Sequence, residues 1–92
     1  MVIMGGSEMQ GIRRDYDDDS IPNAGEYGKQ HGQWYGVPPA PADLHANLSN
    51  HQVVEHEDGT ITVSPSILVS LTYPDQHWEW HGYLERGVWR EV

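Results

Sequence analysis

Hydrophobic and polar residues alternate along residues 60–71 in a pattern that predicts a β-strand. One parity carries small hydroxyl side chains, with Leu68 as the exception, and the other carries the apolar set Ile61, Val63, Ile67, Val69 and Leu71. Because successive side chains of a strand point to opposite faces, one face is predicted to be apolar and the other rich in hydroxyls. Pro65 interrupts the run. Since proline cannot donate to a ladder, it indicates an edge strand, a bulge, or two strands that meet at a kink.

Turn signals on both sides of this strand predict two β-hairpins. Asp58-Gly59 precedes the strand and follows a second predicted strand at residues 51–57, so it is expected to close the first hairpin. The sequence Tyr73-Pro74-Asp75 is expected to be the turn that leads into the second hairpin.

The second hairpin can form with two different loops. A three-residue loop at 85–87 would place Leu84 opposite Val88, whereas a two-residue loop at 86–87 would place Leu84 opposite Trp89. The three-residue loop is favoured, because Gly87 then takes the left-handed position that such loops prefer.

The first half of the chain shows no such alternation. Glycine and proline recur through residues 21–41, which predicts an extended segment that builds no regular core. Tyr27, Trp34 and Tyr35 lie in this segment, and aromatic residues in an extended arm often dock on another surface. At the N-terminus, Met1–Met4 is either a strand added to a sheet edge or a frayed end.

A short helical element is predicted where the two halves meet. Asp43 can act as the N-cap of one or two helical turns that end near Asn47.

These patterns together predict a mainly β fold. A small antiparallel sheet of three to five strands, built as two hairpins from residues 46–92, is expected to carry a long extended arm, residues 1–45. The arm would run over the sheet or onto a neighbouring molecule. Since an isolated small sheet leaves an apolar face to cover, we expect a homo-oligomer or a larger assembly.

Composition and charge narrow the possible functions. The chain has 92 residues, which favours one domain, and a net charge of −9 from 14 acidic and 5 basic residues. This charge argues against direct binding to a nucleic-acid backbone or an anionic membrane. The chain has no cysteine, which excludes disulfides and thiolate chemistry. The first ten residues lack the basic and apolar regions of a signal peptide, so secretion is not expected.

Metal binding and catalysis are not predicted. Of the six histidines, His77 and His81 are four apart, which on a strand separates them by roughly 13 Å. The acidic run that begins at Asp15 resembles a calcium loop but has Ser20 where an EF-hand has glycine. There is no G-x-S-x-G, P-loop or dinucleotide motif. We therefore expect no catalytic residue, no metal and no cofactor.

The C-terminal aromatic cluster is the most distinctive candidate surface. With the favoured loop, Trp78 and Trp80 would fill the core, and the opposite face would carry His81, Tyr83 and Trp89 with Arg90 nearby. This face could stack a base or dock a proline-rich segment, or it could be a second apolar layer that the arm covers. The predicted interaction surface consists of Tyr27, Trp34, Tyr35, His81, Tyr83, Trp89 and Arg90.

Two segments carry a resemblance to a known group of proteins. Residues 58–67 (DGTITVSPSI) and 80–89 (WHGYLERGVW) resemble a family of small, mostly uncharacterised proteins encoded by bacteriophages, especially those of actinobacteria. Members end in a similar pattern of SPSI followed by HG, an aromatic residue and L-x-x-G-x-W. The resemblance is confined to the C-terminal half. It implies a phage gene expressed in bacterial cytoplasm and no particular activity.

Two functions are therefore expected. The first is a non-enzymatic structural or interaction protein of a phage, such as a minor capsid or decoration protein, that docks by its arm and a sheet edge. The alternative is an intracellular accessory protein that binds a small host ligand or inhibits a host defence protein, with His81, Tyr83 and Trp89 as its site. The expected partners are virion or host proteins, and the expected location is the virion or the host cytoplasm.

Overall fold

The computed structural model describes residues 8–39 and 44–92, and these residues confirm the mainly β fold. They contain no helix, hence none that is long and apolar enough to cross a membrane. The strands are β1 (Glu8–Gln10), β2 (Ile12–Arg13), β3 (Glu26–Gln30), β4 (Gln33–Gly36), β5 (Ala46–Asn47), β6 (Gln52–Glu55), β7 (Ile61–Tyr73), β8 (Gln76–Glu85) and β9 (Val88–Glu91).

The strands form two sheets. The larger is an antiparallel sheet of five strands in the order β1-β9-β8-β7-β6, which agrees with the predicted sheet of three to five strands. The smaller has the order β2-β3-β4-β5, with β2 parallel to β3 and the other pairs antiparallel.

Strand β7 confirms the alternating pattern and resolves the role of Pro65. The first hairpin closes across Asp58-Gly59, β6 flanks β7 as far as Ser64, and Pro65 lies in a bulge, which was one of the three interpretations. The register shifts between Val63 and Ile67: four steps along β7 match two steps along β8. Because the difference is an even number of residues, this bulge keeps the apolar side chains on one face throughout β7.

The second hairpin closes with a two-residue loop, so the favoured three-residue loop is wrong. Leu84 pairs with Trp89, and Arg86 and Gly87 have φ values of 46° and 78°. Two consecutive residues with positive φ form the turn whose twist matches that of the flanking strands. The shift in pairing moves Trp89 to the face of the sheet that carries Leu84.

The expectation that the Gly/Pro-rich segment builds no regular core is also wrong. Strands β3 and β4 form a hairpin whose two-residue loop, His31-Gly32, has positive φ values of 54° and 78°. Gly36 is a position of close approach, since a Cβ atom there would lie 2.8 Å from the Trp89 ring. These glycines therefore serve turn formation and tight packing rather than disorder.

Of the two alternatives for the N-terminal segment, the structure has it packed on the larger sheet: β1 joins that sheet, and β2, β3 and β4 form a second sheet together with β5. Buried residues of both sheets form one cluster, in which Tyr27 of β3 and Trp89 of β9 belong together. The indole N–H of Trp89 donates to the carbonyl of Gly25 at 2.9 Å. The cluster consists of Tyr27, Ala46, Leu48, Ile61, Val63, Ile67, Trp80, Leu84 and Trp89. The chain thus covers much of its own apolar face.

Two predictions fall wholly or partly outside the described residues. Met1–Met4 lies outside them, and so does Asp43, the proposed helix cap. The helical turns expected to end near Asn47 are wrong where the chain is described, because Ala46 and Asn47 pair with Gly36 and Tyr35 as strand β5.

Candidate interaction surface

The outer halves of β7 and β8 extend past their neighbours in the sheet. Strand β6 begins at Gln52, opposite Ser64, and β9 ends at Glu91, opposite Gly82. From Ile67 to Gly82 the two strands pair with each other around the turn at Pro74-Asp75. Among the described residues, this segment has no further strand on either side beyond its base, where Gly82 pairs with Glu91 of β9 and Val92 donates one hydrogen bond to His81. We call residues 67–82 the ribbon.

One face of the ribbon is apolar and continues the core. Ile67 and Trp80 at its base are buried, Val69 and Trp78 are partly buried, and beyond them Leu71 and Tyr73 are 36% and 52% exposed. Cross-strand pairing places Val69 beside Trp80 and Leu71 beside Trp78, which makes the stripe continuous. We call Val69, Leu71, Tyr73 and Trp78 the apolar stripe.

The opposite face of the ribbon is polar except at Leu68. The Thr72 hydroxyl and the His77 Nδ1 atom are 2.8 Å apart, and the Ser66 hydroxyl lies 3.0 Å from the His81 Nε2 atom. These hydrogen bonds link the two strands on the solvent side. Leu68 is 59% exposed on this face.

Charge is distributed unevenly between the ribbon and the rest of the molecule. Strand β7 has 13 residues and no charged side chain, and the ribbon contains only two acidic residues, Asp75 and Glu79. The five basic residues all lie outside it, at Arg13, Arg14, Lys29, Arg86 and Arg90. The β7 side of the ribbon is therefore a neutral edge on a protein of net charge −9.

Four of the seven predicted interaction residues lie in the two packed sheets outside the ribbon, which we call the body. Tyr27, Tyr35 and Trp89 are buried, with at most 2% of each exposed. Trp34 is partly buried, and its ring lies 5.1 Å from the guanidinium of Arg13 and 4.9 Å from the ammonium of Lys29. The prediction that Trp89 is exposed is wrong, because the two-residue loop turns it toward the core.

The other three predicted residues are exposed on the outer face of the larger sheet. Tyr83 pairs with Arg90, whose guanidinium lies 5.4 Å from the tyrosine ring and also forms an ion pair with Glu85. The cross-strand neighbour of Tyr83 is thus Arg90, and Trp89 lies on the other face of the sheet. His81 is exposed and lies near Ser66.

Leu71 and Tyr73 are surface residues that the alternating pattern does not reveal, and Trp78, which the pattern assigns to the core, is only partly buried. The lengths of the predicted strands could have indicated this. The predicted strand at 60–71 and the run that follows Asp75 are longer than the short strands predicted on either side of them. Two long strands between short ones must extend past the sheet, whatever the loop register.

One charged side chain of the smaller sheet, Arg13, links the two sheets. Arg13 pairs with Asp15 at 2.8 Å and reaches Glu55 of β6 at 3.0 Å. The hydrogen bond from Arg13 lowers the pKa of Asp15 below its usual value. Residues 8–39 and 44–92 contain no group of three or more histidine, aspartate or glutamate side chains that could hold a metal ion.

Buried Glu26 belongs to a hydrogen-bonded network of the smaller sheet. Burial acts to raise its pKa, but hydrogen bonds from the Tyr16 hydroxyl at 2.6 Å and the Asn23 amide at 3.0 Å outweigh burial and lower the pKa. The carboxylate therefore stays ionised and fixes the start of β3. Its partners, Tyr16 and Asn23, lie in the segment that connects β2 to β3.

A surface depression of about 350 Å³ lies elsewhere and is lined by His56, Glu57, Asp58 and Arg86. It does not include His81 or Tyr83, so it offers no support for a ligand pocket at those residues.

Comparison with known proteins adds no assignment: no family model, no curated protein and no solved structure matches the chain. The resemblance of the C-terminal half to small phage proteins stays a prediction.

Proposed function

We propose that the chain is a non-enzymatic protein-binding component of a bacteriophage particle, such as a minor capsid or decoration protein. The observation that supports binding is the ribbon, which carries an apolar stripe beyond the region that the second sheet covers. The resemblance of residues 58–67 and 80–89 to small phage proteins supports the setting. The docking element is the ribbon rather than the N-terminal segment, because that segment packs on the core.

The apolar stripe suits insertion into a groove of another protein. Leu71, Tyr73 and Trp78 lie on one face and are held by cross-strand pairing, so they lose little conformational freedom on binding. Aromatic residues are enriched in protein interfaces, because they bury a large area in few rotamers. A partner that covers this face would continue the core of the protein.

Mass spectrometry of purified virions tests the proposal. The protein should co-purify with particles of the phage that carries its gene, in a fixed ratio to the major capsid protein. Complementation with Leu71→Gln should reduce this ratio at least tenfold, because the stripe loses an apolar side chain and gains a polar one. Leu68→Gln is the matched control on the other face, and it should leave the ratio unchanged although Leu68 is the more exposed of the two.

Two results would contradict this proposal. One is the absence of the protein from virions together with a compact monomer in solution. The other is equal loss of incorporation in both leucine variants, which would mean that the stripe has no special role.

The alternative is an accessory protein of the infected cell, and one observation favours it. Tyr83 is 38% exposed on the outer face with Arg90 against its ring, a geometry suited to stacking on a flat ligand. The burial of Trp89 removes the larger aromatic group from that surface. A protein found in infected cells but not in virions, with binding lost in Tyr83→Ala, would favour this alternative.

A further inference from the structure

The free edge of β7 has a defined length and a defined centre. It starts after the bulge, where β6 no longer pairs with β7, and it ends at the turn after Tyr73. The open positions therefore run from Ile67 to Tyr73, and the middle position is Ser70. Any strand that adds to this edge has about seven residues to pair with, which is longer than the mean strand of about five to six residues.

The backbone groups that face this open edge follow from the hydrogen bonding of β8. The carbonyl of His81 accepts a hydrogen bond from the amide of Val92, so the backbone amides and carbonyls of the odd-numbered residues of β8 point toward β9. The backbone groups of the even-numbered residues therefore point toward β7, where Trp80 pairs with Val69 and Trp78 pairs with Leu71.

The remaining residues of the outer half of β7 direct their amides and carbonyls away from β8. These are Leu68, Ser70 and Thr72, which the structure leaves without a partner strand among the described residues. Three outward donors and three outward acceptors alternate with residues bonded inward, as on any antiparallel edge.

A second copy of the same strand fits this edge about a two-fold axis at Ser70. In that antiparallel register Ser70 of one copy faces Ser70 of the other, Val69 faces Leu71 of the other copy, and Ile67 faces its Tyr73. Each apolar residue on the stripe side meets an apolar residue of the other copy. On the polar side Leu68 faces Thr72, and the small serines meet at the axis. Such a pairing is isologous, which is the usual form of a dimer interface.

Charge favours a second copy at this edge over the opposite edge of the ribbon. Each chain has a net charge of −9, so two copies repel each other, and the repulsion at the contact is smallest where the contact carries no charge. The β7 edge has no charged side chain from Ile67 to Tyr73. By contrast, the opposite edge of the ribbon carries Glu79, and pairing that edge with itself would bring carboxylates together.

We infer that two copies of the chain pair through the β7 edges of their ribbons and form one four-stranded antiparallel sheet centred on Ser70. This inference deepens the proposed function, and it rests on the ribbon being the docking element. The two apolar stripes then lie side by side on one face of the joined sheet, which doubles the surface offered to a capsid protein.

The mass of the protein in solution tests this inference. Light scattering after size exclusion should give twice the 10.4 kDa mass of one chain at high concentration. Ser70→Pro removes the amide at the axis without removing a β7–β8 hydrogen bond, so its mass should fall to half that of the wild type. Glu79→Pro is the matched control, because Glu79 pairs with Ser70 in the ribbon and its amide points outward on the other edge. This variant should remain a dimer.

Crosslinking at the axis tests the register directly. The chain has no cysteine, so Ser70→Cys can form a disulfide only with a second copy. In a hydrogen-bonded antiparallel pair the Cα atoms are about 5.5 Å apart, which lies within the range that a disulfide spans. Oxidation should convert Ser70→Cys into a covalent dimer, whereas Glu79→Cys should stay uncrosslinked.

The possible results separate this inference from the proposed function. A wild-type protein that stays monomeric at millimolar concentration, or a Ser70→Pro variant that folds and stays dimeric, overturns the two-fold pairing. If the monomeric wild type still enters virions and Ser70→Pro does not, another protein occupies the edge, and only the second copy is refuted. A Ser70-dependent dimer that is absent from virions supports the pairing and refutes the phage-particle function.

Discussion

The inner and outer halves of β7 and β8 differ in environment although the same alternating pattern runs through both. In the inner half Ile61, Val63 and Leu84 are at most 1% exposed, because the second sheet covers them and β6 and β9 flank them. In the outer half Leu71 and Tyr73 occupy the same face and remain exposed. The difference arises from what covers each half, and not from the pattern of the strand itself.

Two tryptophans on this face of the larger sheet, Trp89 of β9 and Trp78 of β8, show the same contrast. Trp89 is fully buried, forms an edge-to-face pair with Trp80 at 5.5 Å, and donates its indole N–H to Gly25. Trp78 is partly buried and has Leu71 as its cross-strand partner. An apolar residue stabilises the fold where the chain encloses it, and it remains available for a partner where the chain does not.

The largest expected effect compares these two tryptophans. Trp89→Ala should reduce the free energy of unfolding by about 3–5 kcal/mol, because it leaves a cavity between the sheets and removes the hydrogen bond from the indole to Gly25. Trp78→Ala should cost about 1 kcal/mol or less in the isolated chain, since its site is already open to solvent. Urea unfolding followed by circular dichroism measures both. Equal losses would mean that the ribbon is as enclosed as the body.

A smaller effect tests how tightly the second sheet lies on the first. Gly36→Ala should cost about 1–3 kcal/mol, because the added methyl would lie 2.8 Å from the Trp89 ring. Gly32→Ala adds the same methyl in open space and should cost about 1 kcal/mol from its positive φ alone. Thermal melts of both variants measure the difference. A harmless Gly36→Ala would contradict the close packing of the two sheets.

The ion pair between Arg13 and Asp15 should have a modest effect on stability that depends on pH. Arg13 lowers the pKa of Asp15, so the folded state binds its proton less readily than the unfolded state. The resulting stability is present above the ordinary aspartate pKa of about 3.9 and is lost as the pH falls through the lowered folded value. Asp15→Asn should therefore cost up to about 1 kcal/mol at pH 7 and progressively less in acid.

Stability measured between pH 7 and pH 2 for Asp15→Asn and the wild type would check this sign. A difference that grows as the pH falls would contradict it. Dimer formation should not change in Asp15→Asn, because the substitution lies in the body and not in the ribbon.

The smallest expected effect is a gain in stability at the β8–β9 loop. Arg86 has a φ of 46°, which is unfavourable for most side chains but tolerated by asparagine. Arg86→Asn should therefore raise the free energy of unfolding by about 0.5 kcal/mol. Chemical denaturation with the wild type as reference measures this change. A loss of stability would argue against the two-residue loop.

Side-chain alternation was sufficient to predict strands β6 to β9 of the larger sheet, but not β1 or the smaller sheet. The pattern of residues 60–71 and the turns at Asp58-Gly59 and Tyr73-Pro74 correspond to β7 and its hairpins. The smaller sheet could not be predicted, because composition alone does not distinguish glycines that form turns or permit close packing from glycines of a disordered segment. The loop at 86–87 was misjudged because Gly87 suits both registers, and only the left-handed Arg86 distinguishes them.

The candidate surface was predictable only in part, because it depends on the length of the loop between β8 and β9. A one-residue difference in loop length moves Trp89 from one face of the sheet to the other, so the predicted aromatic face changed with it. His81 and Tyr83 did remain exposed. The apolar stripe could not be separated from the core by periodicity, because both share one face of β7.

Hydrogen exchange at two protein concentrations tests the central contrast between an enclosed body and an open ribbon edge most directly. The amides of Leu68, Ser70 and Thr72 should exchange rapidly in dilute protein and become protected at high concentration. Those of His77 and Glu79, on the other edge, should exchange rapidly at both, and the Ile61 and Leu84 amides should be protected throughout. If the three β7 amides are protected equally at both concentrations, the edge is covered within the monomer, and the account of the ribbon is wrong.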